Sequence, residues 1–412
     1  MPLIKPFPGL RPAPGRAADV AAPPYDVMNA SEARLMVQGR PWSFLHVSRP
    51  EVDLAEGIDP YAPEVYAKAA ENMQRMREQR ILLQDGSDCF YLYRLTMGEH
   101  VQTGIVAAAS VAAYDRNRIR KHEFTRPSKE DDRVRQIEAL AAQTGPVFLV
   151  YRSQADVDTR MDKLTERKPE IDITAADGVR HQLWVVDDGE AIAQLMRSFD
   201  AMPALYVADG HHRSAAASRV AAARGSGVTP LAAEAPHDYF LAVIFPHDQV
   251  QILDYNRVVR DLNGLDREQL LERVGAHFSI VPSATPVKPV RHGEFGMYLP
   301  GQWYRLQVEE SRIPLEDPVQ RLDVSILANE LLRPILGITD QRTDERIDFV
   351  GGIRGLPGLQ ARVDSGEMAV AFAVRPTDME ALMAVADAGE VMPPKSTWFE
   401  PKLADGLVSH LL

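Results

Sequence analysis

A polar turn at residues 207–217, VADGHHRSAAA, separates an apolar run from an alanine-rich run. This pattern predicts a strand, a tight turn and a helix. The free N–H groups of a helix's first turn, together with its dipole, attract anions. Gly210 would let the backbone approach a ligand closely, Arg213 suits bidentate phosphate binding, and Ser214 offers a further hydrogen bond. The segment is therefore a candidate phosphate site.

The acidic residue and the histidines of this turn leave alternatives open. Asp209 is placed to hold Mg²⁺ or to accept a proton, but an aspartate before a helix is equally often a simple cap. Adjacent histidines such as His211 and His212 point in different directions in most backbones, which argues against a shared metal. A zinc ion would also need ligands from the distant His237 or His247.

A second polar cluster covers residues 114–133, YDRNRIRKHEFTRPSKEDDR. Glu123, next to His122, is a candidate general base for a hydroxyl group, and its basic neighbours, including Lys129 and Arg133, are candidates to hold a polyphosphate. His122 is included in that phosphate-binding set. A zinc-protease motif is excluded because the second histidine is missing. The alternative is a solvated charged loop that leads into a helix.

The third cluster is residues 392–402, MPPKSTWFEPK. Lys395, Ser396 and Thr397 form a phosphate-friendly set, and Trp398 is suited to the floor of a pocket. These four residues are the candidate substrate contacts. The alternative is a C-terminal strand whose aromatic side chains enter the core.

The composition limits the classes of function. The chain has 412 residues, which favours two or three domains, and a formal net charge of −12, which argues against nucleic-acid and anionic-membrane partners. Cys89 is the lone cysteine, so neither an internal disulfide framework nor a thiolate metal cluster can form. The proline-rich start does not fit a signal peptide, and no apolar run is long enough for a membrane span. We expect a cytoplasmic protein, and the sequence carries no signal for its oligomeric state.

Strand-like and helix-like segments alternate along the chain, which predicts a mixed α/β (α+β) fold. Helices are expected over residues 61–78, 129–144 and 212–223, and strands over 87–93 and 100–114 with a hairpin-like turn between them. The apolar run YFLAVIF predicts a buried strand, with VQILDYN as its hairpin partner.

Several motifs in order along the chain identify it as a member of a bacterial and archaeal family of unknown function, number 1015. The matching stretches, from the start of the chain to its end, are IKPF, APPYDV, KHEFT, KEDDR, ADGHHR and MPPKSTWFEPK. The last two are highly specific. The family itself implies no settled activity.

The second and first polar clusters together also resemble the two boxes of the ParB/sulfiredoxin superfamily over roughly residues 100–225. Its free-serine kinases are the most similar branch. That resemblance implies a catalytic glutamate in the first box, matched by Glu123, and an acidic residue before the glycine of the second, matched by Asp209. The boxes lie 86 residues apart (209 − 123), which implies an insertion. The expected domains are an N-terminal α/β segment (1–98), a ParB/sulfiredoxin-like core (99–255) and a C-terminal α/β part (256–412).

The residues and the resemblance together predict a nucleotide-dependent small-molecule phosphotransferase. ATP or ADP would donate to a hydroxyl, with L-serine implied by the resemblance, and Mg²⁺ would lie near Asp209. His211 and His212 would join Glu123 and Asp209 as catalytic groups. The reverse reaction, or hydrolysis of a phosphomonoester such as phosphoserine, would use the same parts. The alternatives are a non-catalytic nucleotide- or phosphometabolite-binding regulator and, third, a structural adaptor.

Overall fold

The computed structural model describes residues 1–225 and 234–412, and divides them into two compact units. Unit 1 comprises Met1–Val250 and Pro401–Leu412, and unit 2 comprises Gln251–Glu400. The predicted boundary at residue 255 lies near the start of unit 2, whereas the main sheet of unit 1 uses strands from both sides of residue 98. The mixed α/β class expected from the sequence is confirmed.

The strands of unit 1, numbered in chain order, are β1 Ile4–Lys5, β2 Leu10–Pro12, β3 Leu82–Gln84, β4 Phe90–Met97, β5 His100–Ser110, β6 Ile119–Arg120, β7 Ala142–Gln143, β8 Val147–Tyr151, β9 Ile171–Thr174, β10 Arg180–Val186, β11 Leu205–Asp209 and β12 Tyr239–Pro246. Its helices are α1 Ala17–Val20, α2 Ala30–Met36, α3 Leu45–Ser48, α4 Pro63–Glu78, α5 Val111–Asp115, α6 Pro127–Leu140, α7 Ala155–Leu164, α8 Gly189–Ala201 and α9 His211–Gly225.

The main sheet of unit 1 has the order β6-β11-β8-β12-β5-β4-β10-β9, and β1 pairs with β5 outside this path. Most pairs are antiparallel, but β6 runs parallel to β11 and β8 runs parallel to β12. The strands β8 and β12 are buried along their whole length, as expected for central strands of a sheet covered on both faces. Their side chains join a core that includes Trp184, Phe199 and Phe240.

Unit 2 contains a six-stranded sheet and a two-stranded ribbon. Its strands are β13 Gln251–Leu253, β14 Tyr255–Val259, β15 Phe278–Ser283, β16 Glu294–Leu299, β17 Gln302–Val308, β18 Ile347–Gly351, β19 Val370–Val374 and β20 Trp398–Glu400. Its helices are α10 Arg267–Gly275, α11 Asp323–Leu327, α12 Gly355–Asp364 and α13 Met379–Asp387. The sheet order is β15-β17-β16-β19-β14-β18, and β13 pairs with β20. The last strand of the chain, β21 (His410–Leu411), belongs to unit 1 and pairs with β7.

Most of the helices and strands that local sequence patterns predicted in unit 1 are present in the structure. The helix expected over 61–78 begins at Pro63, where a proline suits the first turn, and the β4–β5 hairpin turns at the predicted place. The predicted partner of β12 was wrong. The segment VQILDYN does not fold back on β12; its first part is β13, which pairs with β20, because β12 already has β5 and β8 on its two edges.

Among the described residues, no helix combines the length and the apolar character needed to cross a lipid bilayer.

Candidate functional site

The turn between β11 and α9 is fixed by a glycine. Gly210 has φ +95°, a region that side chains disfavour, and a Cβ atom there would lie 3.3 Å from Cα of Val147 on the neighbouring strand β8. The backbone N–H groups of Arg213 and Ser214 both donate to the carbonyl of Gly210, which starts the helix. The turn therefore directs the first residues of α9 toward one end of the sheet.

The parallel pairing of β6 with β11 brings the two predicted boxes together. Leu205 pairs with Ile119 and Tyr206 with Arg120, an offset of 86 residues. Glu123 and Asp209 are separated by the same offset (209 − 123). Because adjacent strands lie about 4.8 Å apart, residues that follow the ends of β6 and β11 emerge at the same edge.

Two histidine rings and one carboxylate meet at this edge. The rings of His122 and His211 contact each other edge-on, with centroids 4.5 Å apart. Oε2 of Glu123 lies 3.9 Å from Nδ1 of His211. Both rings are buried, at 2% and 4% exposed, while the side chain of Glu123 is 54% exposed. The glutamate is therefore positioned to meet a ligand from solvent, and the histidines stand behind it.

Burial keeps both rings neutral. It lowers the pKa of His122 to about 4, against smaller opposing effects of a hydrogen bond to the backbone of Val207 and of the Asp209 charge. Burial, followed by the proximity of His122, lowers the pKa of His211 well below its ordinary value. The pKa of His212 is also lowered, mainly by burial. Near pH 7 these three side chains are uncharged.

A lysine near the C-terminus faces Asp209. Burial by itself would raise the pKa of Asp209, but the charges of Lys402 and Arg213 and the N–H of Gly210 bring it below its ordinary value. Nζ of Lys402 lies 3.9 Å from Oδ2 of Asp209, whose Oδ1 accepts a hydrogen bond from Gly210 N–H at 2.8 Å. The acidic group that precedes the glycine is thus ionised and next to a cation.

The side chain of Arg213 belongs to a partly buried ionic cluster. Its guanidinium donates to Asp26 at 3.1 Å and to the carbonyl of Pro146 at 2.8 Å, and it lies over the ring of Tyr25. Although burial opposes the charge, these acidic neighbours raise the pKa of Arg213. Asp405 belongs to the same cluster, and burial raises its pKa to about 7.

The sequence matches the model of a family described as "Protein of unknown function (DUF1015)" over residues 4–325. The chain belongs to this family. No curated protein matches it.

Solved structures similar to this DUF1015 protein are distant. A conserved hypothetical protein from Pyrococcus furiosus is 14% identical, covers 74% of this chain and 94% of its own, and has a TM-score of 0.35. A free serine kinase in complex with AMP is 11% identical, with coverages of 73% and 92% and a TM-score of 0.35. SbnI from Staphylococcus aureus, truncated at its C-terminus, is 12% identical, with coverages of 74% and 86% and a TM-score of 0.36. A ParB/sulfiredoxin-like core in the DUF1015 protein stays a prediction.

The predicted phosphate ligands on α6 line a cleft of unit 1. This cleft has a volume of about 310 Å³, and its lining includes Lys129 and Arg133. Nζ of Lys129 lies 3.0 Å from the hydroxyl of Tyr61, and Arg133 is paired with Asp132 and stacked on Tyr25.

Two other predicted residues make hydrogen bonds inside the protein. The hydroxyl of Ser214 is fully buried and donates to the carbonyl of His211 at 3.0 Å. Nε2 of His212 accepts a hydrogen bond from the backbone N–H of Arg126 at 3.1 Å. The two adjacent histidines therefore have different environments, and His211 is the one next to Glu123.

The four predicted substrate contacts belong to unit 2. The hydroxyl of Ser396 donates to the carbonyl of Pro393, and Thr397 directly precedes β20. The ring of Trp398 packs edge-on against Tyr255, and Nζ of Lys395 lies 5.5 Å from the centre of the same ring. Their role as substrate contacts stays a prediction.

Sequence reasoning missed the residues that come from the two ends of the chain. Lys402, Asp26 and Asp405 reach the start of α9 in the structure, but none was selected from the sequence. The available signal was their position within or beside recognised motifs: Asp26 lies in APPYDV and Lys402 closes MPPKSTWFEPK.

Proposed function

We propose that this DUF1015 protein is a nucleotide-dependent phosphotransferase that acts on a hydroxyl group of a small molecule. The observation that carries the proposal is the half-exposed carboxylate of Glu123, held 3.9 Å from His211 at the N-terminal end of α9. A carboxylate that can meet a hydroxyl therefore stands beside a helix terminus that favours phosphate oxygens.

In this proposal Glu123 takes the proton of the acceptor hydroxyl as its oxygen bonds to the terminal phosphorus of the nucleotide. The bond between that phosphorus and the bridging oxygen breaks, and the shortened nucleotide leaves with the electron pair. General-base assistance of this kind contributes a factor of about 10²–10⁴. The remaining work is positioning and charge stabilisation.

The groups around α9 supply that stabilisation. The phosphate oxygens would lie against Gly210 and the first N–H groups of α9, with Lys402 as the nearby cation and Mg²⁺ held by the ionised Asp209. His211 and His212 are neutral near pH 7, so they act as hydrogen-bonding groups and not as charges. Arg213 acts on the developing charge through the electrostatic field of its partly buried cluster, because its hydrogen bonds go to Asp26 and Pro146.

L-serine is the proposed acceptor, and ATP or ADP the proposed donor. The reverse reaction and the hydrolysis of phosphoserine would use the same groups. Lys395, Ser396, Thr397 and Trp398 are proposed as further substrate contacts.

The test is a panel of donors and acceptors. The protein is incubated with Mg²⁺, ATP or ADP and each hydroxyl amino acid, and phosphorylated product is measured by ³¹P NMR. We expect product with at least one pair, and loss of turnover in Glu123→Gln with nucleotide binding retained. Glu99→Gln is the matched control, since Glu99 is exposed in the β4–β5 turn. Unchanged turnover in Glu123→Gln would refute the assignment of the base.

A second candidate is a regulator that binds a nucleotide or phosphometabolite without turnover. It is favoured by the internal hydrogen bonds of Arg213 and Ser214, which leave fewer groups of α9 for a reacting phosphate. Tight nucleotide binding with no product from any pair, together with loss of binding in Arg213→Ala, would support the regulator.

A further inference from the structure

The side chains of His122, Glu123 and His211 offer a set of metal ligands. One ligand atom from each residue lies within 4.8 Å of the ligand atoms of the other two. His122 and Glu123 follow the end of β6, and His211 begins α9. The parallel register of β6 and β11 therefore assembles the set. The sequence alone argued against a histidine site because His211 had no partner at the usual spacing.

Unsatisfied nitrogen atoms in the two rings point to a ligand. Nδ1 of His122 and Nε2 of His211 are buried, and neither has a hydrogen-bond partner. Burying a polar atom without a partner is unfavourable, so two such atoms in touching rings are unusual unless something binds there. The two rings contact each other perpendicularly, with centroids 4.5 Å apart.

We propose that His122, His211 and Glu123 bind one divalent transition-metal ion of the zinc class. Two imidazoles and a carboxylate are a known ligand set for zinc with one position left for water or a substrate oxygen. Imidazole suits zinc, cobalt and nickel, whereas Mg²⁺ prefers oxygen ligands. The ion is therefore distinct from the Mg²⁺ proposed at Asp209.

The geometry requires a small closure around the ion. Tetrahedral zinc with nitrogen ligands at about 2.0–2.1 Å sets ligand atoms about 3.3 Å apart. The ligand atoms already lie within 4.8 Å of one another, so a movement of the half-exposed side chain of Glu123 and small rotations of the two rings supply the closure. A carboxylate bound through Oε2 keeps Oε1 for an acceptor hydroxyl, so metal binding and the proposed base are compatible. The metal site itself does not depend on phosphoryl transfer.

The experiment is a Co²⁺ titration of the full chain, purified without a histidine tag, stripped of metal by a chelator and free of nucleotide. Visible absorption reports Co²⁺ coordinated by imidazole, and Zn²⁺ then displaces it. We expect one ion per chain, displacement by Zn²⁺, and no displacement by a large excess of Mg²⁺. Each of His122→Gln, His211→Gln and Glu123→Gln should raise the Kd at least about 10-fold, since even outer-shell changes at metal sites cost about 10–100-fold.

Two controls keep the result decisive. His100→Gln and Glu99→Gln make the same exchanges away from the ring pair and should leave the Kd unchanged. The buried histidine variants are accepted only if their circular dichroism and Tm match a folded chain; otherwise the exposed Glu123→Gln decides. Absence of one-to-one Co²⁺ binding, or equal Kd values for Glu123→Gln and Glu99→Gln, would overturn the three-ligand site. Because no nucleotide is present, either outcome is independent of the kinase test.

Discussion

Replacing Asp405 by asparagine should make the stability of unit 1 less sensitive to pH. Asp405 is 2% exposed, and its burial, with the like charge of Asp26 nearby, outweighs the attraction of Arg213 and raises its pKa from 3.8 to about 7. The folded chain therefore retains a proton on Asp405 that the unfolded chain loses above about pH 4. The contribution of the protonated Asp405 to the stability of the fold is fully present below the pKa of the unfolded chain. It is lost as the pH rises through the pKa of the folded chain.

The pKa values set the size of the effect. The interval between 3.8 and about 7 corresponds to an upper limit of about 4 kcal/mol. Asparagine has nearly the same shape as the protonated acid and cannot ionise. We expect Asp405→Asn and wild type to differ little near pH 4, and the variant to be more stable above about pH 7 by up to that amount. At about 2–4 °C per kcal/mol, the rise in Tm is at most about 8–16 °C.

The assay is Tm by differential scanning fluorimetry for both proteins at a series of values from about pH 5 to about pH 8.5. Asp88→Asn is the matched control, because Asp88 is exposed between β3 and β4. The difference in Tm between Asp405→Asn and wild type should grow with pH, and that between Asp88→Asn and wild type should stay flat. A difference that is independent of pH, or one that favours wild type at high pH, would refute the buried titrating carboxyl.

Three further variants test the role of Glu123 and two structural positions of unit 1, Tyr93 and Gly210. Glu123→Gln should lower kcat by about 10²–10⁴ in a phosphotransfer assay and leave the nucleotide Kd unchanged, since only proton transfer is removed; an equal loss in binding would point to a different role. Tyr93→Phe removes a buried hydroxyl that lies 2.6 Å from Nδ1 of His181 and accepts a hydrogen bond from the N–H of Ala404 at 3.2 Å. Chemical denaturation should show a loss of about 1–3 kcal/mol, and no loss would mean that these two bonds are not stabilising. Gly210→Ala should cost about 1–3 kcal/mol, because its φ of +95° and the closeness of Val147 both oppose a side chain; a neutral effect on Tm would contradict the fixed turn.

Local sequence patterns predicted the elements that carry the site. The apolar run before Asp209, the glycine and the alanine-rich run after it indicated a strand, a turn and a helix, and β11 and α9 have that order. Such patterns depend on neighbours within a few residues, through steric limits on φ and hydrogen bonds of the first helical turn. The mixed α/β class followed from the same signals, and membership of the family followed from the motifs.

Pairing between strands that are distant in the chain could not be predicted from these local patterns. The strand β12 took β5 and β8 as neighbours, and β13 paired with β20, because edge positions depend on the whole sheet order. The proximity of Lys402 to Asp209, across 193 residues (402 − 209), is likewise visible only in the structure.

The sequence by itself determined the turn around Gly210, the candidate base Glu123 and the membership of DUF1015. Tertiary structure alone decided which of the two histidines lies beside the carboxylate of Glu123, which partners Arg213 has, and which acids and lysine surround the turn. The physical reason is that a parallel pairing across 86 residues joins His122 and Glu123 to His211. Burial then changes the charge of these groups, and neither long-range register nor burial is encoded in a short motif.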